Sequence, residues 1–199
     1  MIKIGITGGI GSGKTVVSSL LTLAGIPVYD ADGESKHLTN TSHVIQKKLK
    51  ALLGDEIYVN GKLDGKHLSS LIFSDEVLLK KVNGIIHPVV RKDFQQWAST
   101  QSSKYCALES AILYESGFDK EVDVVLTVYA PVELRLTRAM KRDGVNEAEI
   151  MKRMNRQMPD ALKREKADFI IVNDEIQALT PQIEQFLNLM RKAQLTINN

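Results

Sequence analysis

The sequence has little of what marks several classes of protein. A single cysteine, Cys106, in 199 residues excludes an internal disulfide and any metal site built from several cysteines. Its apolar surroundings predict a buried side chain rather than a nucleophile. The sequence also has almost no excess of charge of either sign, because 26 lysines and arginines balance 24 acidic residues to a net charge of +2. So small an excess does not indicate a nucleic-acid partner.

Long apolar runs are missing as well. No stretch approaches the ~20 residues that span a bilayer, and the first residues lack the basic and then apolar order of a signal peptide. We therefore expect a cytoplasmic protein with no membrane partner. A hydrophobic content of 43% with 25% charged residues is typical of a globular protein. The length fits one domain with an inserted subdomain.

A glycine-rich motif, Gly-Gly-Ile-Gly-Ser-Gly-Lys-Thr, occupies residues 8–15. It follows a short apolar run and leads into a helical pattern over residues 16–24, which is the strand, loop and helix order of a P-loop. An ordinary flexible turn would not need these flanks. The N–H groups of such a loop surround a polyphosphate at the helix N-terminus. We expect Lys14 to reach the β and γ phosphates and the Thr15 hydroxyl to hold Mg²⁺.

Strand and helix patterns alternate along the chain. The strand patterns are short and almost continuously apolar, as in parallel strands that are covered on both faces. They span residues 3–7, 27–29, 105–113, 122–129 and 167–172. This order predicts an α/β, doubly wound fold.

The segment between the second and third predicted strands is mostly helical. Residues 43–53 form an amphipathic pattern, 55–63 a glycine-containing connection and 64–73 a short helix. A long helical stretch over 75–101 is expected to kink or break at His87-Pro88, because proline disfavours helix at the residue before it. This insertion is a candidate acceptor-binding subdomain.

Two carboxylates, Asp30 and Asp32, directly follow the second predicted strand. The carboxyl ends of parallel strands form the ligand-binding edge of such a sheet. A carboxylate there can accept the proton of an attacking hydroxyl in phosphoryl transfer. Either residue can instead cap the following helix, and one can cap while the other acts. Asp32 is the predicted base.

Arginines recur at helical spacing near residue 140. Arg135, Arg138 and Arg142 are three and four residues apart, and a second basic helical segment begins near Asn146. Arginine-bearing helices over a phosphate loop would form a lid that excludes water and stabilises the transferred phosphoryl group. The alternative is a solvated basic face with ion pairs along the helix. Arg138 and Arg142 are the predicted lid arginines.

Together these motifs resemble the dephospho-CoA kinase family over nearly the full length of the chain. An Asp-Ala-Asp triplet at this distance from the P-loop, with His-Pro inside the insertion, is the distinctive part. The matching elements are residues 5–15, Asp30-Ala31-Asp32, Ile86-His87-Pro88, residues 112–115, residues 138–144, Gln157, and Ala167-Asp168 leading to Asn173.

The resemblance implies a P-loop kinase fold with a five-stranded parallel sheet, a helical acceptor-binding insertion and a helical lid. The implied core covers about residues 1–30, 104–135 and 164–199, the CoA-binding subdomain about 31–103, and the lid about 136–163. The implied reaction is ATP-dependent phosphorylation of the ribose 3′-hydroxyl of dephospho-CoA, giving CoA and ADP. This is the final step of coenzyme A biosynthesis, and it uses Mg²⁺.

Carried over to this sequence, the resemblance assigns catalysis to Lys14, Asp32, Arg138 and Arg142. It places His87 and Arg91 at the acceptor. From its position at the end of the third predicted strand, Glu115 either takes part in acceptor or metal-water contacts or caps its own segment. The oligomeric state is left open. The implied nucleotide-binding residues are Gly8, Gly9, Gly11, Ser12, Gly13, Lys14, Thr15, Val16 and Asn173.

Three positions depart from the family pattern. Val16 replaces a common threonine, Ala111 a frequent proline, and Glu175 a common glycine after Asn173.

Two rival functions remain compatible with the motifs: another P-loop small-molecule kinase, which differs in the acceptor subdomain, and a nucleotide-dependent switch or assembly ATPase.

Overall fold

Strands and helices alternate along the chain in a computed structural model that describes residues 1–73 and 75–197, with 193–197 described by backbone alone. The strands are β1 (Ile2–Thr7), β2 (Val28–Asp30), β3 (Tyr58–Val59), β4 (Lys62–Leu63), β5 (Tyr105–Glu109), β6 (Val124–Tyr129) and β7 (Phe169–Val172). The helices are α1 (Lys14–Leu23), α2 (Ala31–Thr41), α3 (His43–Leu53), α4 (Gly65–Ile72), α5 (Glu76–Ser99), α6 (Val132–Asp143), α7 (Glu147–Met154), α8 (Asp160–Lys166) and α9 (Leu179–Ile197). Within those described ranges no helix combines the length and the apolar character needed to cross a membrane.

The chain separates into two compact units. Residues 1–29 and 101–199 form one, here called the core unit, and residues 30–100 form the other, here called the helical unit. The finer division into core, acceptor subdomain and lid stays a prediction.

The core unit is built on a five-stranded sheet in the order β2-β5-β1-β6-β7. β1 pairs in parallel with β5 and β6, and β6 pairs in parallel with β7. The predicted α/β fold with a five-stranded parallel sheet is confirmed. Cys106 on β5 is fully buried, as predicted. An apolar cluster joins strand residues to α1 and α9 and includes Ile4, Ile6, Val17, Leu21, Leu126, Ile171 and Phe186.

Strand β5 is shorter than predicted, ending at Glu109 instead of residue 113. Ser110 still donates its N–H to the Ile6 carbonyl, at 3.0 Å. The Ile112 N–H donates to the Ser110 hydroxyl, and the Ser116 N–H donates to the Ile112 carbonyl. These local bonds turn the chain away from the sheet. The apolar residues after Ser110 resemble a strand in sequence, which is why the predicted strand was too long, but they do not pair with the sheet as part of β5.

Helix α5 of the helical unit runs without interruption from Glu76 to Ser99. Of the kink or break predicted at Pro88, the break is therefore wrong, and the kink stays a prediction. Its buried face repeats every four residues at Val82, Ile86, Val90 and Phe94. This face packs α5 against α2, α3 and α4. Tertiary packing of an apolar stripe contributes more to helix stability than the local preference of one residue.

A small hairpin lies inside the segment predicted as a plain connection. Strands β3 and β4 pair antiparallel around Asn60 and Gly61, whose φ angles are 51° and 76°. Positive φ at both central residues is the signature of a type I′ turn, for which Asn-Gly is the preferred sequence. Tyr58 donates its hydroxyl to the Thr39 carbonyl, at 2.8 Å, which ties the hairpin to α2. The Asn-Gly pair was a signal that the sequence reading missed.

Candidate active site

The glycine loop connects β1 to α1, the position predicted for it. Gly11 and Gly13 have φ angles of 79° and 91°, a left-handed conformation that glycine adopts without a steric penalty. The Lys14 ammonium folds back across the loop and donates to the Gly8 carbonyl, at 3.0 Å. The loop therefore closes into a compact turn at the N-terminus of α1, where backbone N–H groups attract anions.

Close packing also requires glycine in this loop. A Cβ atom on Gly9 would overlap the Arg135 guanidinium, and one on Gly11 would overlap the Arg135 backbone. One on Gly13 would overlap the Asn173 amide, which donates to the Ser12 carbonyl at 2.8 Å. The loop thus packs closely against α6 and the segment after β7. Asn173 lies beside the loop, and the nucleotide-binding role that the resemblance implies for it stays a prediction.

Glu109 is a candidate functional residue that the sequence reading did not identify. It ends β5, the strand beside β1, and accepts a bond from the Thr15 hydroxyl at 3.2 Å. Its side chain is buried in the core unit. The signal for it was a carboxylate at the carboxyl end of a strand next to the P-loop strand. Because the predicted strand continued to residue 113, the prediction placed Glu109 in the middle of the strand and not at its end.

Thr15 and Glu109 fit a magnesium ion that is held mainly by a nucleotide. Mg²⁺ prefers oxygen ligands and usually keeps several waters, taking one or two protein groups together with substrate phosphates. Among residues 1–73 and 75–197 there is no group of three or more His, Cys, Asp or Glu side chains that could hold a metal unaided. Thr15 and Glu109 offer a hydroxyl next to a carboxylate beside the phosphate loop. This matches an ion that is held by one or two protein groups together with substrate phosphates.

A cavity of about 310 Å³ opens over the glycine loop. Both predicted lid arginines lie on its wall, facing the P-loop residues. Its lining residues are Gly11, Gly13, Lys14, Thr15, Val16, Arg138 and Arg142. The structure thus brings together, within the core unit, the loop and arginines that the sequence placed at the phosphates.

Arg138 is held by the P-loop side and by the segment after β7. Its Nη1 donates to the Asn173 carbonyl at 3.2 Å, and its Nη2 donates to the Glu175 carboxylate at 3.1 Å. Glu175 adopts a left-handed backbone with φ of 66°, which explains why glycine suits this position. The Glu175 carboxylate that stands in place of the common glycine binds Arg138, a predicted lid arginine.

Arg142 is more exposed and pairs with its neighbour Asp143. Two bonds of 2.7 and 3.1 Å join the guanidinium to the carboxylate, and Arg153 on α7 adds a third at 2.8 Å. Hydrogen bonding to Arg142 holds the pKa of the Asp143 carboxyl below its usual range. Asp143 therefore links α6 to α7 within the predicted lid.

Glu115 is engaged by other protein groups. Its Oε1 accepts a bond of 2.6 Å from the Met158 N–H and lies 3.4 Å from the ammonium of Lys163, which is fully buried. The Lys163 ammonium also donates to the Ala111 carbonyl, at 2.7 Å. These contacts favour an anchoring role over capping of its own segment. Acceptor contact by Glu115 stays a prediction.

The remaining predicted residues belong to the helical unit. Asp30 caps α2 by accepting the Gly33 N–H at 3.0 Å, so the capping role falls to Asp30 and not to Asp32 in the first turn. His87 and Arg91 stand one turn apart on α5 and are half-buried. Burial, and next the charge of Arg91, lower the pKa of His87. The functional roles of Asp32, His87 and Arg91 stay predictions.

A glycine loop between the first strand and helix of a parallel sheet, with arginines across a cavity above it, defines the molecule as a P-loop kinase. The model of the dephospho-CoA kinase family matches residues 2–178. The chain belongs to the dephospho-CoA kinase family.

Known relatives agree with this assignment. The dephospho-CoA kinase of Bacteroides fragilis is 49% identical over 187 residues, which cover 94% of this chain and 91% of its own. That of Porphyromonas gingivalis is 46% identical over 192 residues, or 96% of this chain and 95% of its own. A solved structure of TT1252 from Thermus thermophilus has a TM-score of 0.83 at 34% identity and covers 96% of this chain and 97% of its own.

Proposed function

We propose that this protein transfers the γ-phosphoryl group of ATP to the ribose 3′-hydroxyl of dephospho-CoA, giving CoA and ADP. The observation that carries the proposal is the match to the dephospho-CoA kinase family over residues 2–178. The geometry of the core unit supports the donor half of the reaction, because the loop, Lys14 and two arginines surround one cavity.

Donor binding falls to the glycine loop. Its N–H groups donate hydrogen bonds to the phosphate oxygens, and the positive end of the α1 dipole adds to the attraction. Lys14 exchanges its bond to the Gly8 carbonyl for the β and γ phosphates. Glycine at the close contacts with Arg135 and Asn173 keeps the loop tight around the phosphates.

Magnesium would be held by the Thr15 hydroxyl, with Glu109 accepting from that hydroxyl or from a metal-bound water. When bound, the ion neutralises charge on the β and γ phosphates. Glu109 fixes the rotamer of Thr15, so that the hydroxyl oxygen points to the same place in every cycle.

The acceptor is assigned to the helical unit. Arg91 carries a positive charge, and His87, one turn away, offers a ring N–H as a hydrogen-bond donor. Both groups suit a molecule that carries phosphate groups. Asp32 is the proposed base that accepts the proton of the 3′-hydroxyl as the phosphoryl group is transferred. Asp30 is used as the cap of α2, which leaves the catalytic role to Asp32.

The lid arginines act on the transferred group. Arg138 and Arg142 share the cavity with the loop, where their charges stabilise the negative charge spread over the phosphoryl oxygens. Arg142 is the more exposed of the two, and its pair with Asp143 uses Nε and Nη2, so that Nη1 can donate to a phosphate. Closure of the lid would bring Arg142 onto the phosphates and would exclude water.

We further propose that the protein works in the cytoplasm on water-soluble substrates, with neither a membrane nor a nucleic acid as partner. The near-neutral net charge of +2 supports the absence of a nucleic-acid partner.

An acceptor panel tests the proposed function. The purified protein is incubated with ATP and Mg²⁺ and with dephospho-CoA, shikimate, adenosine or no acceptor, and ADP release is followed continuously. We expect ADP release that depends on dephospho-CoA and is at least 100-fold slower with the other acceptors, since loss of matched polar contacts is costly. Equal rates with another acceptor would favour a different small-molecule kinase. ATP turnover that needs an added protein would favour a switch ATPase.

A further inference from the structure

Ile10, at the tip of the glycine loop, has both of its backbone groups bound by distant side chains. Its N–H donates to Oε1 of Gln157, at 2.9 Å, and its carbonyl accepts from Nε of Arg135, also at 2.9 Å. Arg135 belongs to α6, and Gln157 follows α7. Neither backbone group of Ile10 is therefore directed at a phosphate in this arrangement. The tip is held by α6 and by the segment after α7.

Both side chains that hold Ile10 are themselves anchored. Arg135 is only 3% exposed and forms an ion pair with Asp160 at the start of α8. Gln157 uses the other end of its amide to donate to the Ala111 carbonyl, at 3.2 Å. That carbonyl also accepts from Lys163, at 2.7 Å. One glutamine amide thus bridges the glycine loop and the segment after β5.

We propose that Gln157 is a positioning residue for the phosphoryl donor, which fixes the tip of the glycine loop through Ile10. It does not touch the substrate. The inference rests on the proposed function only in taking the donor to be a nucleoside triphosphate.

The physical reason lies in the residues around Ile10. Gly9 and Gly11 flank it, and glycine gives the backbone more conformational freedom than any other residue. Without the amide of Gln157, the part-buried Ile10 N–H loses its partner and the tip gains conformations that binding must then remove. Since the N–H groups after Ile10 cradle the phosphates, we expect weaker binding of the phosphoryl donor and unchanged binding of the acceptor.

Two substitutions separate this role from a general structural one. Gln157→Met keeps the length of the side chain but removes both hydrogen bonds. Gln157→Asn keeps the amide on a side chain one methylene shorter, which cannot span Ile10 and Ala111 together. Gln46→Met is the matched control, because Gln46 also bonds a backbone carbonyl, that of Asn40, but within the helical unit.

The measurements are the Kd of ATP in the presence of Mg²⁺, by calorimetry without acceptor, and the KM of each substrate. We expect both Gln157 variants to weaken ATP binding by about 5- to 30-fold, because binding must then order the tip that Gln157 no longer holds. The KM of dephospho-CoA should stay within twofold of the wild type, and Gln46→Met should bind ATP normally. Circular dichroism confirms folding, and Gln157→Asn carries the test if Gln157→Met does not fold.

Wild-type ATP affinity in a folded Gln157 variant would overturn the proposal. An equal loss in Gln46→Met, or equal losses for ATP and dephospho-CoA, would also overturn it by pointing to general destabilisation. Because ATP binding is measured without acceptor, failure of the proposed dephospho-CoA reaction would be seen separately, in the wild-type turnover assay.

Discussion

The ion pair between the buried Lys163 and the partly exposed Glu115 gives a prediction whose size can be estimated from their contacts. Replacing Lys163 by methionine keeps the length of a fully buried side chain and removes its ammonium. The substitution removes the hydrogen bond from the ammonium to the Ala111 carbonyl, at 2.7 Å, and its ion pair with the Glu115 carboxylate, at 3.4 Å.

Removing one partner of a buried ion pair costs about 3–5 kcal/mol when the other charge is left uncompensated. Here the cost should be lower, because Glu115 is 24% exposed and keeps the Met158 N–H, while Ala111 keeps the Gln157 amide. We therefore expect a loss of about 1–3 kcal/mol in the free energy of unfolding. At about 2–4 °C per kcal/mol for a chain of this size, the Tm should fall by about 2–12 °C.

Thermal unfolding followed by circular dichroism measures this shift, with Lys47→Met as a control at an exposed lysine. Glu115→Gln is the companion variant, since its amide oxygen still accepts the Met158 N–H. It should lower the Tm by less than Lys163→Met and leave the KM of dephospho-CoA within twofold of the wild type. A Lys163→Met protein that melts at the wild-type temperature would refute the anchoring role. A Glu115→Gln protein with unchanged Tm and a tenfold higher KM would assign Glu115 to the acceptor.

Three further variants test the site. Asp32→Asn should keep its affinity for ATP and lose about 10²- to 10⁴-fold in turnover, and near-normal turnover would remove Asp32 as the base. Glu109→Gln should raise the Mg²⁺ concentration needed for half-maximal rate by about tenfold or more, and an unchanged requirement would contradict its support of Thr15. His87 has a lowered pKa in the folded state, so on acidification the unfolded chain binds its proton first. Wild-type stability should therefore fall as the pH drops below about 6.5, and His87→Gln should show a shallower fall in chemical denaturation.

The features that the sequence predicted well are local in the chain. Residues 8–15 carry their own strand, loop and helix context, and the limits of α3, His43–Leu53, follow from one amphipathic stripe. In each case the partners are close enough in sequence for spacing alone to define the geometry.

The features it missed join residues that are distant in sequence. Glu109 and Thr15 are 94 residues apart, and Gln157 and Ile10 are 147 apart. Periodicity shows which face of an element is buried, but it does not show which side chain a polar residue meets across the fold. Pro88 failed as a helix breaker for a related reason, because the buried stripe of α5 overrides a local preference.

The most direct test of the proposed reaction is the structure of its product. Protein, ATP, Mg²⁺ and dephospho-CoA are incubated together, and the product is examined by mass spectrometry and ³¹P NMR, with Lys14→Ala as the inactive control. We predict a gain of one phosphoryl group, seen as a new monophosphate resonance coupled to the ribose 3′ proton, only with the wild-type protein. Phosphorylation at another position, or ATP consumption that leaves dephospho-CoA unchanged, would contradict it.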